Sequence, residues 1–203
     1  MGSTVHLLVI DNRDSFVYNV VELLRSLPEL TFEVIPEGEL ELSSLPEHDG
    51  LILSPGPGVP SEFPRMQALI RAEAGVKPIL GICLGHQALA EHYGAELVQL
   101  PAPRHGHASA LEVIDPTDSL VGAIPTGSLV GRYHSWAVDE ASLPTCLVPT
   151  AYCADADEGR VLMAMRHRTE PMWSVQFHPE SMISEHGCAY LSAFATAVRA
   201  WRR

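Results

Sequence analysis

The sequence predicts one α/β domain over residues 1–203, with a mostly parallel central sheet, helices on both faces, and a smaller antiparallel portion in the second half. Three observations lead to this fold class. Apolar strand-like runs alternate with helical stretches in the first half, which is typical of a parallel sheet covered by helices. From Ala95 onward, short strand-like runs follow each other with turn signals between them. A composition of 46% hydrophobic and 19% charged residues is that of an ordinary folded core.

The first half supplies the elements of the parallel part. Its predicted strands are apolar runs at residues 5–10, 31–35, 50–53 and 78–82. Its predicted helices place apolar side chains at helical spacing and cover residues 15–27, 62–74 and 84–93. Pro28 and Gly75 end the first two helices. The strand at 50–53 runs directly into a Ser-Pro-Gly-Pro-Gly segment at 54–58.

The second half supplies the antiparallel part and a final helix. The predicted strands lie at residues 97–100, 110–114, 128–133, 146–152, 161–166 and 172–177. The last segment, residues 187–201, has Tyr190, Leu191, Phe194 and Val198 on one helical face.

Composition and charge exclude several classes of protein. The formal net charge of −12 argues against nucleic-acid binding, which requires a basic surface. No apolar run approaches the roughly 20 residues that cross a bilayer, and the N-terminus does not read as a signal peptide, so we predict a cytoplasmic protein. The four cysteines show no CxxC spacing, which argues against a zinc site and against a disulfide framework.

Residues 81–85 read Gly-Ile-Cys-Leu-Gly and place a nucleophilic side chain at a predicted strand-to-helix turn. Such a turn projects Cys83 clear of the sheet, and the flanking glycines relieve backbone crowding. The N-terminus of the next helix favours the thiolate, and the N–H of Leu84 is placed to stabilise an oxyanion. The pattern predicts a catalytic nucleophile; the alternative is a small buried residue between two packing glycines.

Residues 176–181 read Gln-Phe-His-Pro-Glu-Ser and follow a predicted strand. Side chains two residues apart on extended backbone point to the same side, and Pro179 disfavours helix at His178. His178 can therefore exchange protons while Glu180 holds its tautomer. Cys83, His178 and Glu180 would together form a nucleophilic triad.

Ordered motifs along the chain resemble the class I, or triad, glutamine amidotransferases. The match rests first on residues 81–87 (Gly-Ile-Cys-Leu-Gly-His-Gln) and 176–181. Residues 11–16 (Asp-Asn-Arg-Asp-Ser-Phe), 54–58 and 132–135 (Arg-Tyr-His-Ser) narrow the resemblance to the small subunits of anthranilate synthase and aminodeoxychorismate synthase.

The resemblance implies a role for each matching residue. Cys83 would attack the glutamine amide, His178 would protonate the departing ammonia and then activate water, and Glu180 would orient His178. The other implied residues would hold glutamine or its oxyanion: Gly56, Pro57, Gly58, Leu84, Gln87, Ser135 and Trp136. Ammonia would pass to a separate chorismate-binding synthase subunit. The resemblance implies no metal and no organic cofactor in this chain.

Three positions depart from the usual pattern of these subunits. Arg13 stands where Tyr is frequent, Trp136 where Leu is frequent, and His107 where Lys is frequent. The resemblance places Arg13 and His107 in regions that these subunits use near their partner, whereas Trp136 would present glutamine with its backbone.

Several functional alternatives stay open from the sequence. The chain could supply ammonia to another synthetase, hydrolyse γ-glutamyl compounds without a partner, or serve as a non-catalytic regulatory subunit. The residues also do not distinguish the folate pathway from the tryptophan pathway, since small subunits of both share these motifs.

Overall fold

The computed structural model describes residues 4–155 and 159–201. The strands within these residues are β1 (Val5–Asp11), β2 (Leu30–Pro36), β3 (Gly50–Leu53), β4 (Ile79–Ile82), β5 (Leu97–Gln99), β6 (His107–Val113), β7 (Leu129–Arg132), β8 (Trp136–Val138), β9 (Leu147–Asp155), β10 (Gly159–His167) and β11 (Met172–Val175). The α-helices are α1 (Val17–Arg25), α2 (Pro64–Glu73), α3 (Leu84–His92) and α4 (Gly187–Trp201). None of these helices has both the length and the apolar character that a membrane crossing requires.

Nine of the described strands form one sheet, in the order β2-β1-β3-β4-β11-β10-β9-β6-β7. The strands from β2 to β11 in this order are parallel to their neighbours. Those from β10 to β7 are antiparallel. β5 and β8 form a small antiparallel sheet of their own. The predicted α/β fold class is confirmed, and the main antiparallel portion proves to be a continuation of the large sheet.

Helices cover both faces of the parallel strands, as their side chains require. Val5, Leu7 and Val9 of β1 point to one face and share a core with α1 and α4. Leu8 and Ile10 point to the other face and share a second core with α2 and α3. Because a parallel strand is buried on both faces, its sequence is continuously apolar rather than alternating.

Most predicted elements match observed ones to within a few residues, and β8 is the exception. This strand has only three residues, too few for a period of two to be recognised in the sequence. It pairs with β5 through Gln99 and Trp136. The predicted strand at 110–114 begins earlier, at His107, because β6 pairs with β7 from His107 onward.

The carboxyl ends of the parallel strands meet at one edge and carry the sequence motifs. β3 runs into residues 54–58, β4 into Cys83, and β11 into residues 176–181. Ligands of open α/β sheets bind at this edge of the sheet.

Candidate active site

Cys83 occupies a strained turn between β4 and α3. Its backbone has φ 51° and ψ −99°, a conformation that a residue with a Cβ rarely adopts. The turn is held because the Cys83 N–H donates to the Val175 carbonyl at 2.8 Å. A Cβ on Gly81 would lie 2.5 Å from the Gly85 carbonyl oxygen, and one on Gly85 would lie 2.4 Å from that of Leu53. Gly81 is therefore required by the crowding of the turn itself, and Gly85 by its close contact with β3.

The predicted base, His178, lies in the segment that follows β11. His178 Nδ1 donates to Glu180 Oε1 at 2.7 Å, and both side chains are almost completely buried. Because the carboxylate accepts a hydrogen bond from Nδ1–H, Nε2 is the ring nitrogen that can exchange a proton with the predicted nucleophile. Among the described residues, no oxygen or nitrogen atom forms a hydrogen bond with Nε2.

The charge state of His178 is set by its two neighbours. Burial opposes the imidazolium most strongly, but the Cys83 sulfur, by its charge and hydrogen bonding, and the Glu180 carboxylate outweigh burial. Together they raise the pKa of His178 to about 10. At neutral pH, this arrangement holds a proton on His178 beside Cys83.

Two aromatic rings pack against the His178 imidazole. Its centroid lies 4.8 Å from that of Phe16 and 5.0 Å from that of Tyr133, both at steep angles. Phe16 and Tyr133 also contact each other at 4.8 Å. Neither residue could be given a role from the sequence, although both lie inside motifs quoted above. Phe16 thereby brings the segment 11–16 against the ring of His178, the predicted base.

A cavity of ≈ 230 Å³ opens beside Cys83. It is lined by Cys83 and by residues of three segments: Gly56, Pro57, Gly58, Gln87, Tyr133, His134, Ser135 and Trp136. The predicted glutamine-binding residues are thus brought together here, and Leu84 lies next to Cys83 at the start of α3. Gly58 has φ +69°, a left-handed backbone conformation that a residue with a Cβ adopts only with strain, so this position favours glycine.

The amide side chains of two glutamines connect the cavity wall to Cys83. Gln87 Nε2 donates to the Trp136 carbonyl at 2.9 Å and to Gln176 Oε1 at 3.1 Å. Gln176 Nε2 in turn lies 3.6 Å from Cys83 Sγ. Gln176 had no predicted role of its own. Its only sequence signal was an amide directly after a strand and two residues before the base.

Two of the three unusual positions lie on the surface. Arg13 is exposed, has a φ of 63°, and places its guanidinium 4.4 Å from the centre of the Phe63 ring. His107 is exposed at the start of β6. Trp136, the third, lines the cavity.

The comparisons with known proteins agree with this site. The family model "Glutamine amidotransferase class-I" matches residues 8–198. The chain is 40% identical to the aminodeoxychorismate synthase component 2 of Serratia marcescens over 194 residues, covering 93% of this chain and 98% of that protein. It is 37% identical to the anthranilate synthase component 2 of Azospirillum brasilense over 195 residues, covering 95% and 96%.

A solved structure shares the architecture as well. It is that of a Thermoplasma acidophilum protein provisionally named as a GMP synthase component, with a TM-score of 0.85, 25% identity, and coverage of 100% of this chain and 98% of that one. The α/β fold and the cysteine-centred site are those of a class of glutamine-hydrolysing enzymes. This chain belongs to the class-I glutamine amidotransferase family.

Proposed function

We propose that this chain is the glutaminase component of a two-component synthase, converting glutamine to glutamate and passing the ammonia to a chorismate-binding subunit. One observation carries the proposal: a buried Cys83–His178–Glu180 arrangement borders a cavity that suits one small amino acid. The remaining steps follow from the chemistry of these groups.

The first half of the reaction forms a thioester. Cys83 Sγ attacks the side-chain amide carbon of glutamine, and the carbonyl oxygen becomes an oxyanion. The N–H of Leu84, at the positive end of α3, and the N–H of Gly58 stabilise that charge. His178 then gives its proton to the leaving nitrogen, so that ammonia departs while the C–N bond breaks.

The second half of the reaction consumes one water molecule. His178, now neutral, removes a proton from water, and the resulting hydroxide attacks the thioester carbon. The C–S bond breaks, Cys83 leaves as the thiolate, and glutamate is released. Glu180 stays hydrogen-bonded to Nδ1 throughout and favours the protonated ring each time it forms.

The names of relatives support the choice of partner. Proteins named component 2 of aminodeoxychorismate synthase and of anthranilate synthase match almost their full length to this chain. Two large apolar side chains near the site are also exposed to solvent. Tyr18 lies two residues after Phe16, and Met182 lies two residues after Glu180. These side chains suit a docking surface close to the point where ammonia would leave. That the domain spans residues 1–203 and acts in the cytoplasm is part of the same proposal.

The test measures glutamate and ammonia release from glutamine, by the chain alone and in the presence of either synthase subunit. We expect little release alone, a sharp rise with the cognate subunit, and loss of that rise in Cys83→Ser. Cys188→Ser is the matched control because Cys188 is exposed on α4, outside the cavity lining. Strong release without any partner would favour a γ-glutamyl hydrolase instead, and no release under any condition would refute a glutaminase.

A further inference from the structure

A buried ion pair lies behind the wall of the cavity. Arg132 is fully buried at the end of β7, and its Nη1 donates to Asp155 Oδ2 at 2.8 Å. Asp155 Oδ1 accepts from Arg104 Nη2 at 2.7 Å. A buried ion pair gives little net stability compared with apolar side chains of the same size. A role at the adjacent site therefore explains Arg132 better than a contribution to the core does.

Arg132 determines which nitrogen of His134 carries the proton. Its Nε donates to His134 Nε2 at 3.1 Å, and a guanidinium N–H can only donate. Nε2 must therefore be the acceptor, and the proton of the neutral ring lies on Nδ1. Burial, followed by the charge of Arg132, lowers the pKa of His134 to about 3, so the ring stays neutral at physiological pH.

The Nδ1 proton of His134 forms a hydrogen bond to the backbone of the cavity wall. Nδ1 lies 2.9 Å from the Trp136 carbonyl oxygen and donates to it. Gln87 Nε2 donates to the same oxygen at 2.9 Å. The two donors occupy both lone pairs of this oxygen and fix the orientation of the peptide. The neighbouring carbonyl of Ser135 is held in turn by the N–H of Leu100 at 2.9 Å.

We propose that Asp155, Arg132 and His134 form a positioning relay that presets the Ser135–Trp136 backbone for the amino-acid end of glutamine. The relay acts on the affinity for substrate and leaves the reactivity of Cys83 unchanged. This inference rests on the proposed function, because it takes the Ser135–Trp136 segment as part of the glutamine subsite.

Two substitutions of His134 distinguish the roles of the two ring nitrogens. In His134→Asn, the side-chain amide nitrogen takes the place of Nδ1 and can still donate to the Trp136 carbonyl. In His134→Gln, the amide takes the place of Nε2, so the contact with Arg132 is kept and the donor to Trp136 is lost. The two variants are similar in polarity, which makes each the control for the other.

The assay labels Cys83 with 6-diazo-5-oxonorleucine, a glutamine analogue whose diazo carbon is protonated and then attacked by the thiolate as dinitrogen leaves. The concentration for half-maximal labelling rate should rise roughly fivefold to tenfold in His134→Gln, as expected for one lost hydrogen bond. In His134→Asn the half-maximal concentration should stay within about twofold to threefold of the wild-type value, because the hydrogen bond to the Trp136 carbonyl is kept. Mass analysis of the Cys83 peptide measures the labelling.

A second reagent tests whether the effect is confined to the subsite. Methyl methanethiosulfonate reacts with a thiolate without needing the glutamine site, and its rate at Cys83 should be equal in the wild type and both variants. Equal half-maximal concentrations in the two variants, or a parallel fall in the methanethiosulfonate rate, would overturn the relay. Failure of the wild type to be labelled by the glutamine analogue, with normal methanethiosulfonate reaction, would instead refute the proposed function itself.

Discussion

The strained turn at Cys83 predicts that glycine and alanine will reverse their usual order of stability there. Both Cys83→Ala and Cys83→Gly remove the sulfur and its interaction with His178, so the two variants differ only in the Cβ. At φ 51° and ψ −99° the Cβ costs about 1–3 kcal/mol of strain. Glycine instead costs about 0.5–1 kcal/mol through the greater freedom of the unfolded chain, and about 0.8 kcal/mol more because one buried methyl group is lost. We therefore expect Cys83→Gly to be the more stable variant by roughly 0.5 kcal/mol.

Cys153 provides the matched control for this prediction. It is also a buried free cysteine, but it lies within β9 and is not among the described residues with positive φ. At Cys153, glycine should be less stable than alanine by about 1–2 kcal/mol, because one buried methyl group is lost and no strain is relieved.

The assay is equilibrium unfolding in urea, followed by tryptophan fluorescence, for the four variants. The midpoints should order as glycine above alanine at residue 83 and alanine above glycine at residue 153. If alanine is more stable than glycine by the same margin at both positions, then the turn at Cys83 stores no strain. The inference from its backbone angles would then be wrong.

Three further predictions concern the base, its packing and pH. Glu180→Gln should lower the glutaminase kcat by roughly 10- to 100-fold with little change in KM, because the hydrogen bond from His178 to a charged carboxylate becomes one to a neutral amide. An unchanged kcat in steady-state assays would contradict the role of Glu180. Phe16→Ala should lower kcat by about 10-fold by freeing the His178 ring, whereas Trp201→Ala, at an exposed aromatic on α4 outside the cavity lining, should not. Equal losses in the two variants would refute the packing argument. Burial, together with the nearby His134, lowers the pKa of His86 to about 3, whereas its value in the unfolded chain is about 6.5. Between these two pH values the unfolded chain binds a proton that the folded protein does not. The free energy of unfolding therefore decreases as the pH drops from about 6.5 towards about 3. The urea midpoint of His86→Gln should therefore fall less on acidification than that of the wild type, and parallel curves would argue against a neutral buried ring.

The sequence predicted best what is local in the chain. The turn at Cys83 could be recognised because an apolar strand, a nucleophile between glycines and a helix are all contained in residues 78–93. His178 and Glu180 are likewise only two residues apart. The fold class followed from the order of such elements, without knowledge of their pairing.

Contacts between distant residues could not be read from spacing. Phe16 packs on His178 across more than 160 positions, and nothing in either local pattern specifies the other. Arg132 is fully buried although its residue type is typical of surfaces, so only the folded structure connects it to Asp155 and His134. The short strand β8 was missed for a different reason, because three residues carry no periodicity.

The position of β11 has a consequence for how the protein is made. This strand pairs with β4 through Met172 and Ile79 in the middle of the sheet. The ribosome synthesises β11 about ninety residues later than β4. Until then the edge of β4 lies unpaired, and the loop that must close is long, which slows folding. The same strand brings His178 to Cys83. The proposed site, which needs His178 beside Cys83, therefore forms only after β11 has joined the sheet, when most of the chain has already been synthesised.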